Sequence, residues 1–296
     1  MRRASLIAVA VVLGLTVLPL QGAAMQTIGL SISTLNNPFF VDLRDGAQAA
    51  AKTANVNLII LDAQNDSAKE ASGIEDLIQK KVALVAINPT DSDAIVPTIK
   101  KINAAKIPVI TVDRGANGGT IAAHIASDNV AGGKMAAEYV AKRLNGKGNV
   151  VMLEGIAGTS AARDRGKGFK QGLQKFSGIK LVAVQTADFD RAKGLSVMEN
   201  ILQAQKKIDA VFAQNDEMAL GAVQAIAAAK RQKAMFVVGF DAIGDALNAI
   251  KAGTMAATVA QQPKEMGRLA VETAVKILKK QSVPKFTPVP LKLITK

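Results

Sequence analysis

Short apolar runs alternate with longer amphipathic segments along nearly the whole chain. The runs are continuous stretches of Val, Ile, Leu and Ala, which is typical of strands that helices cover on both faces. The segments between them carry apolar residues at helical spacing, as Leu43, Ala47 and Ala50 do after the first run. The alternation predicts an α/β protein with parallel sheets flanked by helices.

The pattern predicts eleven strands with helices between them. The predicted strands are 28–33, 57–61, 83–87, 108–112, 121–126, 150–153, 181–185, 210–213, 235–239, 256–260 and 291–294. The predicted helices of the second half are 130–144, 160–175, 191–204, 217–229, 244–252 and 264–280. Because a single sheet rarely exceeds about ten strands, we expect two sheets in two lobes.

Local signals indicate where two helices of the first half begin. Ser67 with Glu70, and Thr90 with Asp93, have the spacing of capping boxes, in which each side chain bonds a free N–H of the first turn. Pro97 lies inside the third predicted helix and predicts either a kink or a late start.

The first 24 residues have the pattern of a secretory signal peptide. Arg2 and Arg3 give a positive start, 4–20 is apolar and uncharged, and 22–24 is a small-residue cleavage site. The alternative is an uncleaved membrane anchor. The small residues and the polar strand that follows favour cleavage, so we expect an exported, periplasmic protein whose mature chain starts near Met25.

Composition argues against several classes of protein. The 296 residues are 49% hydrophobic and 21% charged, which indicates a packed globular fold. Cysteine is absent, so a zinc site built on thiolates is excluded, and His124 is the only imidazole. A catalytic triad would need His124 as its base, and no phosphate loop or dinucleotide fingerprint appears. We therefore expect neither an enzyme nor a metal or cofactor.

The formal net charge of +13 raises the question of nucleic-acid binding. Removing Arg2 and Arg3 leaves +11. The basic residues pair up at predicted helix ends, where they complement the helix dipole. These pairs are 100–101, 142–143, 206–207, 230–231 and 279–280. No basic run is interleaved with aromatic residues for base stacking, so we expect no nucleic-acid partner.

Polar residues and phenylalanines follow the predicted strands in turn. They are Asn37 with Phe39 and Phe40, Asn88 with Pro89, Asp113 with Arg114, 163–165, 188–190, 215–216, Phe240 with Asp241, and Gln261. The carboxyl ends of parallel strands meet at one edge, so in two facing sheets these residues converge on one cleft. Amide, carboxylate and guanidinium groups suit sugar hydroxyls, and phenyl rings suit the apolar faces of a sugar ring. The pattern predicts a polyol site.

Structural roles compete with this interpretation. Phe39 and Phe40 fit a hydrophobic staple or an ordinary core as well as a ligand site. Asn37, Asp190 and Asp216 are each placed to cap a helix, and Pro38 suits the first helical position after Asn37.

Asp113 and Arg114 cap no predicted helix, and a buried Asp needs a strong partner, so they are the firmest site candidates. Arg163 and Arg165 are two residues apart at a helix start, so only one can face the cleft, and their spacing leaves open which one. We interpret His124, within an apolar strand, as structural.

Eight stretches of this chain closely resemble those of periplasmic D-ribose-binding proteins, the substrate-binding components of ribose ABC importers. They are STLNNPFF (33–40), INPTDSDA (87–94), PVITVDR (108–114), HIASDN (124–129), GIAGTSAARDRG (155–166), ADFDR (187–191), FAQNDEMALGA (212–222) and VVGFDA (237–242). The resemblance runs in order through the mature chain.

The resemblance implies two Rossmann-like lobes, 25–127 with 262–289 and 128–261 with 290–296, joined by three hinge crossings as in type I periplasmic binding proteins. The crossings would fall near 127–128, 260–261 and 288–291. Carried onto matching positions, the sugar contacts would be Asn37, Phe39, Phe40, Asn88, Asp113, Arg114, Arg165, Phe189, Asn215, Asp241 and Gln261, with Phe240 as a further candidate. The family pattern favours Arg165 over Arg163.

The resemblance further implies a monomer that captures D-ribose and docks on a membrane permease, and it leaves open whether a chemoreceptor is also a partner. Another monosaccharide, such as allose or a different pentose, is an alternative ligand. A cytoplasmic sugar-responsive regulator and a sugar-acting enzyme are alternatives from other classes.

Overall fold

The computed structural model describes residues 25–296, and the signal peptide expected at 1–24 lies outside them. The first half contains β1 (Thr27–Ile32), α1 (Pro38–Ala54), β2 (Asn57–Asp62), α2 (Ser67–Gln79), β3 (Leu84–Ile87), α3 (Val96–Ala104), β4 (Val109–Val112), β5 (Ala123–Ala126) and α4 (Asn129–Arg143). The second half contains β6 (Lys147–Glu154), α5 (Ser160–Leu173), β7 (Gly178–Thr186), α6 (Arg191–Ala204), β8 (Ala210–Ala213), α7 (Asp216–Ala228), β9 (Phe236–Asp241), α8 (Gly244–Ala252), β10 (Ala257–Ala260), α9 (Pro263–Leu278), β11 (Phe286–Pro288) and β12 (Lys292–Thr295).

The strands form two six-stranded sheets, which confirms the prediction of two α/β lobes. The N-terminal lobe contains the order β11-β5-β4-β3-β1-β2, and the C-terminal lobe contains β12-β10-β9-β8-β6-β7. Within 25–296, no helix is long and apolar enough to cross a bilayer.

One strand pair departs from the expected parallel arrangement. β12 pairs with β10 antiparallel, with Ala257 opposite Thr295. β11 belongs to the other sheet and ends only three residues before β12 begins. β11 runs parallel to β5, toward the carboxyl edge of its sheet, and the carboxyl edge of the other sheet faces it. A chain that crosses directly therefore enters the second sheet against the direction of its strands.

β11 itself was absent from the predicted strands. It has three residues, pairs with β5 at the sheet edge, and ends at Pro288. Proline has no N–H to donate, so an edge position is where a strand tolerates it. The segment is too short and too polar for a hydrophobic pattern to reveal it.

The chain passes from one sheet to the other three times, between β5 and α4, between β10 and α9, and between β11 and β12. At the second passage α9 returns to pack closely on α1. An added Cβ on Gly46 would lie 2.1 Å from the Lys264 carbonyl oxygen, and one on Gly267 would lie 2.0 Å from that of Leu43. Glycine at both positions therefore permits the close contact of these two helices.

The first predicted capping box is wrong. Asp66 caps α2, with its Oδ1 accepting from the Ala68 N–H at 2.7 Å. Glu70 points inward instead, is 2% exposed, and accepts from the N–H (3.1 Å) and Oγ1 (2.7 Å) of Thr90. Ser67 bonds the same Thr90 hydroxyl at 2.8 Å, so these side chains tie the first turn of α2 to the loop after β3 instead of capping the helix.

The second predicted capping box is also wrong, because α3 begins only at Val96. Asp91 accepts from the backbone N–H groups of Asp93 and Ala94, both at 2.8 Å, and so forms the turn before the helix. Pro97 falls in the first turn of α3, which confirms the late start.

Candidate ligand-binding site

A pocket lies between the lobes, where the carboxyl ends of the two sheets face each other. Its empty volume is about 250 Å³, including the space open to solvent at its mouth. It is lined by Asn37, Phe39, Phe40, Asp113, Arg114, Ala161, Arg165, Phe189, Asn215, Asp241 and Gln261. Ten of the twelve predicted contact residues therefore line the pocket, and Asn88 and Phe240 do not.

The turn after β1 supplies one wall of the pocket. Asn37 caps α1, with its Oδ1 accepting from the Phe39 N–H at 2.9 Å. The rings of Phe39 and Phe40 meet edge to face, with centroids 5.1 Å apart, and both side chains belong to the hydrophobic core. The structural and ligand-facing interpretations of these two residues therefore both apply.

Asp113 and Arg114 are buried together after β4, each 3% exposed. Asn88 lies behind them, outside the pocket, and its Nδ2 donates to Asp113 Oδ2 at 3.1 Å and to the Val112 carbonyl at 3.1 Å. Arg114 Nε lies 3.9 Å from the same carboxylate oxygen. Burial raises the pKa of Asp113, and the guanidinium groups of Arg114 and Arg165 oppose that rise.

Arg165 rather than Arg163 reaches the pocket. Its Nε donates to Asn129 Oδ1 at 2.8 Å and its Nη1 to the Gln214 carbonyl at 2.7 Å. Phe240 lies against the guanidinium, 3.9 Å from its carbon to the ring centroid, and so supports Arg165 without lining the pocket. Arg163 is exposed, which resolves the ambiguity of the spacing.

Asp241 faces Arg165 from the end of β9. Its Oδ1 accepts from Gln261 Nε2 at 2.8 Å and lies 3.5 Å from Arg165 Nη1. Burial raises the pKa of Asp241 to about 7, although the charge of Arg165 opposes this shift. A carboxyl that titrates near neutrality therefore lies inside the pocket.

Asp216 does not cap a helix, contrary to the expectation from sequence. Asn215 caps α7, with its Oδ1 accepting from the Met218 N–H at 3.0 Å. Asp216 is fully buried and accepts from Thr258 Oγ1 (2.7 Å) and the Ile243 N–H (3.0 Å). Burial raises its pKa well above the ordinary value, and the nearby charge of Asp241 adds to this shift.

Three pocket residues have strained backbones. Asp113 has φ 62°, Phe189 has φ 58° and Asp241 has φ 117°, a region that non-glycine residues rarely adopt. Such strain persists only where the surrounding contacts fix the conformation, and it clusters at ligand sites. For Phe189 one fixing contact is Asn215 Nδ2, which donates to its carbonyl at 3.2 Å.

Sequence reasoning missed Ala161, which lines the pocket, and Gln214, which supports it. Ala161 carries no polar signal. Gln214 is fully buried, and its Oε1 accepts from the Gly155 N–H at 2.9 Å. Gln214 directly follows β8 and precedes Asn215, and this strand-end position is the sequence signal that could have identified it.

His124 lies outside the pocket. Its Nδ1 is 2.9 Å from Thr111 Oγ1, and its ring stacks on Phe286 with centroids 5.7 Å apart. Burial lowers its pKa, so the ring is neutral at pH 7. These contacts fasten the edge strand β11 to the sheet.

When Asp241 is ionised the charges of the pocket balance, with Asp113 and Asp241 against Arg114 and Arg165. Within the described chain, Asp113 Oδ1, Arg114 Nε and Gln261 Oε1 are buried without a hydrogen-bond partner. Leaving such groups unpaired is costly, so a ligand that both donates and accepts hydrogen bonds fits them. A net charge of zero fits an uncharged ligand, and the three phenyl rings fit one with apolar faces.

Two α/β lobes that enclose a small polar pocket at their facing strand ends define a solute-binding protein of the type I fold. The model of the periplasmic binding protein domain matches residues 28–282, and the chain belongs to this family.

Relatives and solved structures agree with this assignment. The ribose import binding protein of Haemophilus influenzae is 50% identical over 295 residues, covering 100% of both chains. That of Salmonella typhimurium is 52% identical over 273 residues, 92% of each. The solute-binding protein of a Bacillus halodurans ABC transporter, solved with bound myo-inositol, superimposes with a TM-score of 0.89 at 35% identity, covering 93% of this chain and 96% of that one.

Proposed function

We propose that this protein captures D-ribose in the pocket between its lobes and delivers it to an ABC-type sugar importer. The observation that carries the proposal is the set of four buried ionic side chains, two acidic and two basic, that lines the pocket beside three phenylalanines. Polar atoms of this set remain without a hydrogen-bond partner, so they are available to a ligand. Full-length relatives named for ribose import support the choice of sugar.

Each pocket group has a part in this capture. Asp113 and Asp241 accept hydrogen bonds from sugar hydroxyls, and Arg114 and Arg165 donate to hydroxyl or ring oxygens. Asn37, Asn215 and Gln261 do both, while Phe39, Phe40 and Phe189 pack against the apolar faces of the ring. An analogue that lacks one hydroxyl leaves a buried charged partner unpaired, which gives specificity.

Capture and release require the lobes to separate. We propose that 25–127 with 262–289 moves against 128–261 with 290–296 about the three crossings. Away from the crossings, two hydrogen bonds already join the lobes: the Ser92 N–H donates to the Gly158 carbonyl at 3.0 Å, and the Gly115 N–H donates to Ser160 Oγ at 2.8 Å. A sugar that contacts both lobes adds to these bonds only in the closed form, so it shifts the population toward closure. The closed form is the species that a permease in the membrane would recognise.

A thermal-shift panel of D-ribose, 2-deoxy-D-ribose, D-allose, D-arabinose and D-glucose tests the proposal. At 100 times the Kd a ligand stabilises by about 2.7 kcal/mol. For a chain of this size that is a rise in Tm of roughly 5–10 °C. We expect D-ribose to raise Tm most and 2-deoxy-D-ribose far less. A larger shift with D-allose would reassign the sugar, and no shift with any sugar would reject the site.

Two further measurements test the other classes of protein. Export places the mature chain, starting near Met25, in the periplasmic fraction, whereas a cytoplasmic regulator would stay with the cell contents. D-ribose recovered unchanged after long incubation with the protein would count against an enzyme, and a new product would contradict the proposal.

A further inference from the structure

The cations of this protein are concentrated at its two ends, away from the pocket. In each lobe the helices run opposite to the strands they connect, so helix carboxyl ends lie at the sheet edge farthest from the pocket. Segments at the end of the N-terminal lobe hold ten Lys and no acid: 52–57, 79–84, 100–109 and 276–286. Segments at the end of the C-terminal lobe hold twelve Lys or Arg and one acid, Asp209: 142–147, 174–180, 204–209, 228–236, 251–256 and 295–296.

The remaining surface has the opposite sign. Residues 25–296 contain 35 Lys or Arg and 24 Asp or Glu, of which the two ends hold 22 cations and one acid. The band around the pocket therefore has 13 cations and 23 acids, a formal net charge of −10. Helix dipoles account for cations at helix carboxyl ends, but they do not account for such a complete separation of charge.

Hydrogen bonds join the basic ends of α6 and α7 and the first residues of β6 into one surface. Arg231 donates from Nη1 to the Leu202 and Gln205 carbonyls and from Nη2 to the Lys206 carbonyl at 3.0 Å, which joins the end of α7 to that of α6. Asn149 Nδ2 donates to the Lys207 carbonyl at 3.2 Å and joins β6 to the same surface.

The acids near this surface are already engaged. Asp209 Oδ2 accepts from the Asn149 N–H at 2.7 Å, and Glu138 pairs with Lys175 at 3.6 Å. Of the twelve cations only Arg231 is half-buried, and the other eleven are exposed. The surface is therefore free to attract an anion of large area.

An apolar crevice opens within this surface. Its empty volume is about 990 Å³, including space open to solvent, and it lies between α7, α8, the first residues of β9 and the residues just before β10. Its apolar lining includes Val223, Ile226, Met235, Ile250 and Met255, and Arg143 and Lys296 also line it. Cations beside apolar walls complement a molecule that carries a phosphate next to hydrocarbon.

We propose that the end of the C-terminal lobe is a docking surface for a membrane that carries anionic phospholipids. The lysines would lie against lipid phosphates, and the crevice would accept hydrocarbon from one lipid. Single-stranded nucleic acid is disfavoured because the exposed large hydrophobic side chains of 25–296 are Met25, Val184 and Phe286, none of which lies in the basic segments of this end to stack on bases. A nucleic-acid duplex has no hydrocarbon chain to place in the apolar crevice. Docking by this end keeps the negative band and the pocket mouth away from the lipid, so the sugar site stays accessible near the membrane.

Cosedimentation with vesicles tests the proposal. The full mature chain is mixed with vesicles of phosphatidylglycerol and phosphatidylcholine, or of phosphatidylcholine alone, in 0.1 M salt. The test variant changes four lysines of the C-terminal-lobe end to Gln: K206Q, K207Q, K230Q and K233Q. Each basic residue close to an anionic bilayer strengthens binding by roughly fivefold, so we expect the variant to bind the phosphatidylglycerol vesicles about 100-fold less tightly or worse.

Two matched variants remove the same charge elsewhere. One changes the band lysines: K69Q, K134Q, K167Q and K264Q. The other changes the N-terminal-lobe end: K80Q, K81Q, K279Q and K280Q. We expect both to bind the vesicles within about tenfold of the parent chain, and all three variants to bind D-ribose unchanged because none alters a pocket residue.

Several outcomes would overturn the proposal. They are no binding of the parent chain to phosphatidylglycerol vesicles, equal loss in the test and band variants, a larger loss in the variant of the N-terminal-lobe end, or tighter binding to duplex DNA than to the vesicles. Since the sugar titration is independent of the vesicles, failure here leaves the proposed function intact.

Discussion

The guanidinium carbon of Arg114 lies 5.4 Å from the centroid of the Phe189 ring, and this contact crosses from one lobe to the other. The same guanidinium lies 5.1 Å from the ring of Phe40, so it is held between phenylalanines of both lobes. A cation between two rings is stabilised only when the lobes are closed. Arg114 therefore couples the shape of the pocket to the closure of the molecule.

The position of Phe189 depends on a glycine beneath it. An added Cβ on Gly155 would lie 2.0 Å from Phe189 Cζ, so Gly155→Ala must displace the ring. We expect D-ribose affinity, measured by calorimetry, to fall at least about tenfold, or ~1.4 kcal/mol. Gly244→Ala is the control, because an added Cβ there has no atom within 4 Å. Equal affinities in the two variants would show that Phe189 is not part of the site.

The hydrogen bond from the Gly115 N–H to Ser160 Oγ should slow the opening of the lobes. Its loss in Ser160→Ala removes about 0.5–1.5 kcal/mol from the closed form alone. We expect the dissociation rate of D-ribose, measured by stopped flow, to rise roughly two- to tenfold. Ser196→Ala is the matched control, since the Ser196 hydroxyl donates to the Lys193 carbonyl within α6. A dissociation rate that does not change in Ser160→Ala would contradict this role.

Sugar binding should release a proton at about pH 6. Burial raises the pKa of Asp241 to about 7 in the closed, sugar-free form, so this carboxyl is mostly protonated there at pH 6. Sugar hydroxyls that donate to it favour the ionised form, so binding lowers its pKa and expels the proton. D-ribose affinity should therefore rise as the pH increases from about 5 to 8.

Calorimetry at pH 6 in buffers with different ionisation enthalpies measures the released proton directly. The Asp241→Asn variant should show no buffer dependence, although its affinity will be lower. Buffer dependence that persists in this variant would assign the proton to another group.

Thr258 and Asp216 should stabilise the strained turn that carries Asp241. Ala242, the next residue, has φ 63°, and its N–H donates to Thr258 Oγ1 at 3.3 Å, while that hydroxyl donates to Asp216. Thr258→Val leaves buried groups unpaired, so we expect a loss of about 1–3 kcal/mol in the free energy of unfolding, measured with urea.

The sugar affinity of Thr258→Val should fall as well, although Thr258 does not line the pocket. Thr273→Val is the control, since no side-chain hydrogen bond of Thr273, a buried α9 residue, occurs among the described residues. If the two valine variants were equally stable and bound D-ribose equally, the turn would not need this support.

The sequence predicted the architecture because buried parallel strands appear as uninterrupted apolar runs. The direction of β12 depends on the three residues that separate it from β11, and no local pattern encodes that geometry. The two capping boxes failed for a related reason. Glu70 has the capping-box spacing from Ser67, and Thr90 has it from Asp93. In the structure, however, Glu70 and Thr90 bond each other across 20 residues.

The candidate site was predictable because every lining residue except Ala161 is a polar or aromatic residue in a loop or early helical turn that follows an identifiable strand. The sequence did not predict which strand-end residues line the pocket and which lie behind its wall. Asn88 and Phe240 occupy the same strand-end positions as Asp113 and Asp241, but they support Asp113 and Arg165 from behind. Asp216 seemed a cap from its position, whereas its fully buried carboxylate bonds Thr258, 42 residues away.

Titration calorimetry of D-ribose against the parent chain and Asp113→Ala measures whether this pocket holds the sugar. We expect one sugar bound per parent chain and an affinity at least about 100-fold lower in the variant, because charge-assisted hydrogen bonds contribute about 1.5–3 kcal/mol each. The exposed Asp93→Ala serves as the control and should bind normally. Unchanged D-ribose affinity in a folded Asp113→Ala protein would contradict the assignment of this pocket as the sugar site.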